Sequence, residues 1–172
     1  MKKILICIIV LLTVGGCKNN ARQPDEEKYN SYLTYYQSIL DCDSKEEKSQ
    51  CFDISLAVNK IEDNLYRYDV IIDNPRVAMY DIKALAVIDN LTIDIDENQM
   101  MPSIGILNNT NYNMIPFQVD NDKNFVPGIV LSLTSEQSSL RISVMIEWKD
   151  SSGLNYVREF LSMYQEYQEN QE

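Results

Sequence analysis

The chain has 172 residues, 45% of them hydrophobic, which is enough to bury the core of one domain. Its 26 acidic against 15 basic residues leave a net charge of −11, a surface that repels nucleic-acid phosphates and excludes that class of partner. There is no histidine, so Ser-His-Asp and Cys-His hydrolysis and zinc sites built on imidazole are excluded with it.

The chain opens on Met1-Lys2-Lys3, followed by an apolar run from Ile4 to Val14 interrupted only by Thr13. A spanning helix needs about 20 apolar residues, so this run is too short to be one and has the form of a signal h-region. It ends Val14-Gly15-Gly16-Cys17. An aliphatic residue, two small ones and then cysteine resembles the lipobox of bacterial lipoproteins, with Gly15 a slightly unusual second position. The resemblance covers residues 1–17. It implies cleavage before Cys17 and a diacylglycerol thioether on that sulfur, an anchor of at least two acyl chains that holds stably in a bilayer. Processing would remove Lys2 and Lys3 and take the net charge from −11 to −13. That charge argues against a polybasic membrane patch and leaves the lipid as the expected membrane contact. Cys7 would leave with residues 1–16.

Residues 17–24 are polar and form the expected tether. From Asp25 to Leu40 the spacing of Tyr29, Tyr32, Leu33, Tyr36 and Leu40 predicts an amphipathic helix with one tyrosine-rich face, and Asp25, Glu26 and Glu27 suit its N-terminus. That face is expected to pack on the domain, within an N-terminal helical segment 25–50. Cys42 and Cys51 remain after processing. In an oxidising compartment they are expected to form a disulfide across Ser44-Lys45-Glu46-Glu47.

From Phe52 the period becomes two. Phe52, Ile54, Leu56 and Val58, then Tyr66, Tyr68, Val70 and Ile72, predict a hairpin turning at Glu62-Asp63-Asn64 and stopped by Asn74-Pro75. Ala78, Tyr80, Ile82, Ala84, Ala86 and Ile88 predict a further strand, apolar on both faces at its ends. Leu91, Ile93 and Ile95 predict a shorter one. Ile104–Leu107 and Ile115–Val119 are further short strands, and Ile129, Leu131 and Leu133 follow a Pro127-Gly128 turn. Leu140, Ile142, Val144, Ile146 and Trp148 alternate with Arg141, Ser143 and Glu147, which face outward, before a loop at Asp150-Ser151-Ser152-Gly153. Residues 154–161 fit a returning strand, yet Val157, Phe160, Leu161 and Tyr164 fit a helix face equally. Strand to about Phe160 is the reading adopted, with residues 163–172 as a polar tail. The fold class that follows is mainly β: a single immunoglobulin-like β-sandwich over 51–162, preceded by an amphipathic N-terminal helix, with Trp148, Tyr68 and Tyr80 anchoring its core.

Two acidic clusters have the oxygen donors that calcium takes: Asp94, Asp96, Glu97 and Asn98, and Asp120, Asp122, Asn121 and Asn124. Neither has EF-hand spacing, and in a chain this acidic such runs are usually solvated loops. Met100, Met101 and Phe117 lie in apolar loop segments, the positions where binding residues gather in this architecture, although the methionines can also fold back on the sheet. No cofactor is expected. Three functions follow, in order. The first is a non-catalytic protein-interaction module docking an unidentified envelope protein. The second is a glycan or small-ligand receptor, with calcium as one such ligand. The third is a carboxylate-dependent hydrolase, which needs two acids about 5–10 Å apart across a cleft. Few glycines and abundant Ile, Asn, Lys and Asp suggest an AT-rich, low-GC Gram-positive source, with the anchor on the outer face of the cytoplasmic membrane.

Overall fold

The computed structural model describes residues 26–89, 100–108 and 110–169. Helix α1 (Glu26–Leu40) is followed by β1 (Asp53–Glu62), β2 (Leu65–Asp73), β3 (Met79–Ile88), β4 (Ser103–Ile104), β5 (Tyr112–Met114), β6 (Gly128–Ser135), β7 (Ser139–Lys149) and β8 (Tyr156–Glu166). The fold is mainly β. Two antiparallel sheets, ordered β1-β2-β6 and β4-β3-β7-β8 with β5 also paired to β3, face each other.

The alternating residues meet between the sheets. Tyr68, Val70 and Ile72 of β2 and Ile129 and Leu131 of β6 pack against Ala84 and Ala86 of β3 and Ile142, Val144, Ile146 and Trp148 of β7. Phe52 meets Trp148 edge-on, ring centroids 5.9 Å apart. The β1–β2 turn passes through Asn64 with φ 59°, which Asn tolerates. At the start of β6 the chain comes so close to β2 that a Cβ on Gly128 would lie 2.8 Å from the Ile72 carbonyl oxygen, so glycine is required there.

β3 departs from the expected alternation. Between Tyr80 and Lys83 its pairing with β7 slips by one residue, and Asp81 in that bulge takes φ 50°. The bulge sends Tyr80 out of the core and brings Met79 in, so the third expected core anchor is Met79, not Tyr80.

The far face of the five-stranded sheet is also covered. Tyr32, Tyr35, Tyr36 and Ile39 of α1 bury Leu85, Val87 and Met145 there, giving a helix–sheet–sheet stack. The tyrosine face packs as expected but is rotated: Tyr35 and Ile39 point inward and Leu40 outward. Burying each such side chain contributes about 2 kcal/mol, which is what holds so short a helix in place.

Three further expectations change. Ile104–Leu107 shrinks to the two residues of β4, and Ile115–Val119 is a turn preceded by β5, because Pro116 cannot donate to a ladder. Of residues 154–164, those from Tyr156 on are strand, and β8 runs to Glu166, beyond the expected tail boundary. Tyr167 then donates its N–H to Ser138 O at 2.7 Å and packs on Tyr66, ring centroids 5.4 Å apart, so the start of the tail is fixed to the domain. The Leu91–Ile95 strand lies outside the described residues.

Candidate functional site

Glu147 faces outward from β7 as expected, yet it is only 6% exposed because α1 lies over it. Its carboxylate accepts from the Tyr35 hydroxyl at 2.8 Å and from Arg158 Nε at 2.9 Å, with Arg158 Nη2 a further donor. Lys83 Nζ lies 3.7 Å from the same carboxylate and donates to the Tyr35 hydroxyl at 3.0 Å. Both cations also stand over the Tyr35 ring, Lys83 at 5.4 Å and Arg158 at 5.2 Å from its centroid. Burial raises the Tyr35 pKa, opposed by the bond from Lys83; burial works to lower that of Lys83, but Tyr35 and Glu147 outweigh it and the net shift is upward. Every charge in this cluster has an opposite or hydrogen-bonding neighbour. Its chemistry is that of a lock between helix and sheet, joining α1 to β3, β7 and β8. The sequence signal for it was the apolar Met145 on the same outer face of β7, which implied a cover.

The expected site residues are distributed as follows. Cys17, Asp94 and Asp96 lie outside the described residues. Cys42 and Cys51 are free thiols, not the expected disulfide. The Cys42 thiol donates to Ser44 O at 3.2 Å, while Cys51 packs on the main core beside Glu159, where burial raises its pKa. Between them Glu46 pairs with Leu161 of β8 instead of turning back toward Cys42. Met100 and Met101 are half-buried and pack under α1, with the Met101 N–H donating to the Tyr32 hydroxyl at 2.8 Å. They are covered where exposure was one expectation.

The carboxylate of Asp120 is occupied. It caps the short 3-10 turn Asn121–Lys123 by accepting from the N–H groups of Asp122 at 3.1 Å and Lys123 at 3.3 Å, and it pairs with Lys123 Nζ at 3.1 Å. The Lys123 side chain, with those N–H groups, lowers its pKa. Asp122 stands exposed beside it. Among the described residues no three Asp, Glu or Cys side chains converge on a point where an ion could sit.

Phe117 is displayed. Ile115-Pro116-Phe117-Gln118 forms a turn closed by Gln118 N–H to Ile115 O at 3.1 Å. Proline suits its second position, and a positive φ at the third makes it a type II turn, a position that favours glycine. That residue is Phe117, at φ 61° and fully exposed. Of the five non-glycine residues with positive φ among those described, the other four are Asn or Asp, which tolerate the conformation.

The loop holds this strained residue through buried Asn113. Asn113 Oδ1 accepts from the Asp81 N–H at 3.0 Å, tying the loop to the β3 bulge, and its Nδ2 donates to Lys123 O at 3.2 Å. Its backbone pairs with Asn124 O at 3.0 Å and with the Val126 N–H at 2.9 Å, and Asp120 and Phe125 exchange two further bonds. A bulky apolar side chain held in an unfavourable backbone conformation, out in water, contributes nothing to the fold that put it there. Such outliers gather at ligand clamps and contact sites.

No protein-family model, no curated protein and no solved structure matches this chain. No described helix is long and apolar enough to cross a membrane.

Proposed function

We propose that this chain is an extracytoplasmic lipoprotein, anchored to the cell membrane through Cys17, that acts as a non-catalytic protein-interaction module of the cell envelope. The lipobox at Val14–Cys17 supports the anchor. One observation carries the interaction reading: Phe117 is held, exposed and strained, at a loop tip. The cost of ordering the backbone that carries it is met before any partner arrives, which favours tight contact. We read the two facing sheets as immunoglobulin-like in the loose architectural sense, a scaffold whose end loops commonly bind.

Two details weigh against the other functions. The buried carboxylate Glu147 is engaged by Arg158, Tyr35 and Lys83, which leaves it no acid–base role. A glycan platform wants aromatic rings in line, but Tyr156 and Tyr164 stand eight residues apart on β8, about 26 Å, and each ring is already faced by a cation, Lys149 or Arg141.

The test is chemical crosslinking of the full-length protein in intact source cells, with the Cys17→Ala variant as control. Discrete adducts with an envelope protein that require Cys17 support the reading. Absence of any adduct above the control overturns it.

A further inference from the structure

The strand registers bring several loops to one end of the sandwich. Asp73 at the end of β2 pairs with Asp53 at the start of β1 and with Gly128 at the start of β6. Residues 74–78 lead directly to the start of β3, where Tyr80 pairs with Lys149 at the end of β7 and Met79 with Met114 of β5. The 115–127 loop and the 150–155 hairpin therefore share this end with the 74–78 connection. Five of the nine large apolar side chains exposed among the described residues stand on these loops or their flanks: Val77, Phe117, Val119, Leu154 and Tyr156. Leu154 is 82% exposed, Val119 63% and Tyr156 61%. The hairpin that carries Leu154 is as firmly built as the Phe117 loop: Gly153 takes φ 70°, its N–H donates to Asp150 O at 2.9 Å, and Asp150 N–H donates to Asn155 O at 3.0 Å.

The unpaired charge around this apolar group has one sign. Each cation on these loops and strand ends already holds a carboxylate: Arg76 with Asp53, Lys149 with Asp81 at 2.7 Å, and Lys123 with Asp120 at 3.1 Å. Asp73, Asp122 and Asp150 have no cationic partner among the described residues. Bonds from Ser152 and Asn155 hold Asp150 ionised, its pKa lowered to about 2.

We infer that this end of the sandwich docks a protein whose complementary surface is an apolar pocket, filled by Phe117 and bordered by lysine or arginine side chains. The inference rests on the interaction-module reading and names the surface and the chemistry of its partner. An aromatic anchor surrounded by smaller apolar contacts is the usual composition of an energetic centre. The uncompensated carboxylates select against the other occupants. An anionic lipid surface would be repelled. A second copy of this chain, meeting end to end, would bring like charges together.

The test places the photo-crosslinking residue p-benzoyl-phenylalanine at position 117 of the full-length protein in intact source cells. Leu154 is the second position, and Ile61 and Tyr164, at the opposite end, are controls. The expected result is a discrete adduct from positions 117 and 154, with the crosslinked peptide apolar and flanked by Lys or Arg. Its yield falls by about tenfold when Asp73→Lys and Asp122→Lys are combined, because like charges then face each other. Both aspartates are exposed, and thermal unfolding of the variant verifies that it folds. A lipid adduct, a self-adduct, a partner peptide without basic neighbours, or a yield indifferent to the charge reversal overturns the inference. Adducts at 61 or 164 but not at 117 or 154 overturn it while the interaction module stands. Adducts at none of the four positions overturn it too, and the Cys17-dependent crosslinking then decides the module separately.

Discussion

Phe117→Gly is expected to stabilise the fold, because it removes strain without removing packing. A non-glycine residue held in the left-handed region costs about 1–2 kcal/mol, and Phe117 sits there at φ 61°. Against this, glycine gains freedom in the unfolded chain, a cost of about 0.5–1 kcal/mol. The side chain is fully exposed, so no burial is lost. The net expectation is a gain of roughly 0.5–1 kcal/mol. Had the ring been packed, its removal would have cost about 3–5 kcal/mol, so the sign alone separates the two cases. Equilibrium urea unfolding measures it, and Phe117→Asn, which tolerates the same backbone, should gain as well. The same variants should lose the position-117 contact. A destabilisation above about 1 kcal/mol would refute the reasoning, since it would show that the ring packs against the domain in solution.

The remaining predictions concern the helix lock, the tyrosines and the thiols. Glu147→Gln keeps the shape of the side chain but removes the charge facing Arg158 and Lys83. Breaking a fully buried pair costs about 3–5 kcal/mol, and because both cations reach solvent a loss of about 2 kcal/mol is expected in urea unfolding. Amide exchange should quicken in α1 more than in β2; a loss below about 0.5 kcal/mol would mean that the lock does not hold the helix. Burial raises the Tyr32 pKa from 10.0 to about 12, opposed by the bond from the Met101 N–H. The folded state thus holds this proton more tightly than the unfolded one. The resulting stability is present below pH 10 and is lost as pH rises through about 12. In an alkaline titration followed at about 295 nm, with circular dichroism in parallel, Tyr32 should ionise only as the fold is lost; full ionisation of all 11 tyrosines near pH 10 with the fold intact would contradict this. Finally, alkylation of the protein isolated without reductant should label both Cys42 and Cys51, with Cys51 slow at neutral pH because burial suppresses its thiolate. A chain that takes up label only after reduction would restore the disulfide.

Local pattern determined most of the strands. The period-two runs of β1, β2, β6 and β7, the Asn64 turn and the glycine at position 153 are all visible in sequence, because a half-buried strand must alternate and a tight turn must use residues that allow positive φ. The lipobox-like run Val14–Cys17 and the missing histidine are local or compositional as well. Part of the candidate surface was legible too: Phe117 stood out as an apolar residue beside proline near a loop, although residues 115–119 also fitted a short strand.

What tertiary structure decided were matters of long-range contact. Val157, Phe160, Leu161 and Tyr164 satisfy a period of two and of 3.6 alike. They form a strand because β7 offers a partner edge inside and α1 partly covers Phe160 outside. Apolar Met145 signals a cover on that face, but the burial of Glu147 and the rotation of the tyrosine face follow from where α1 lies across the sheet, a position no local pattern encodes. The bulge at Asp81 exchanges Tyr80 for Met79 in the core, and depends on Asn113 reaching across from the next strand. The positive φ of Phe117 is invisible in sequence for the same reason: its own side chain opposes the conformation, and only a loop tied down at Asn113 and Asp120 enforces it.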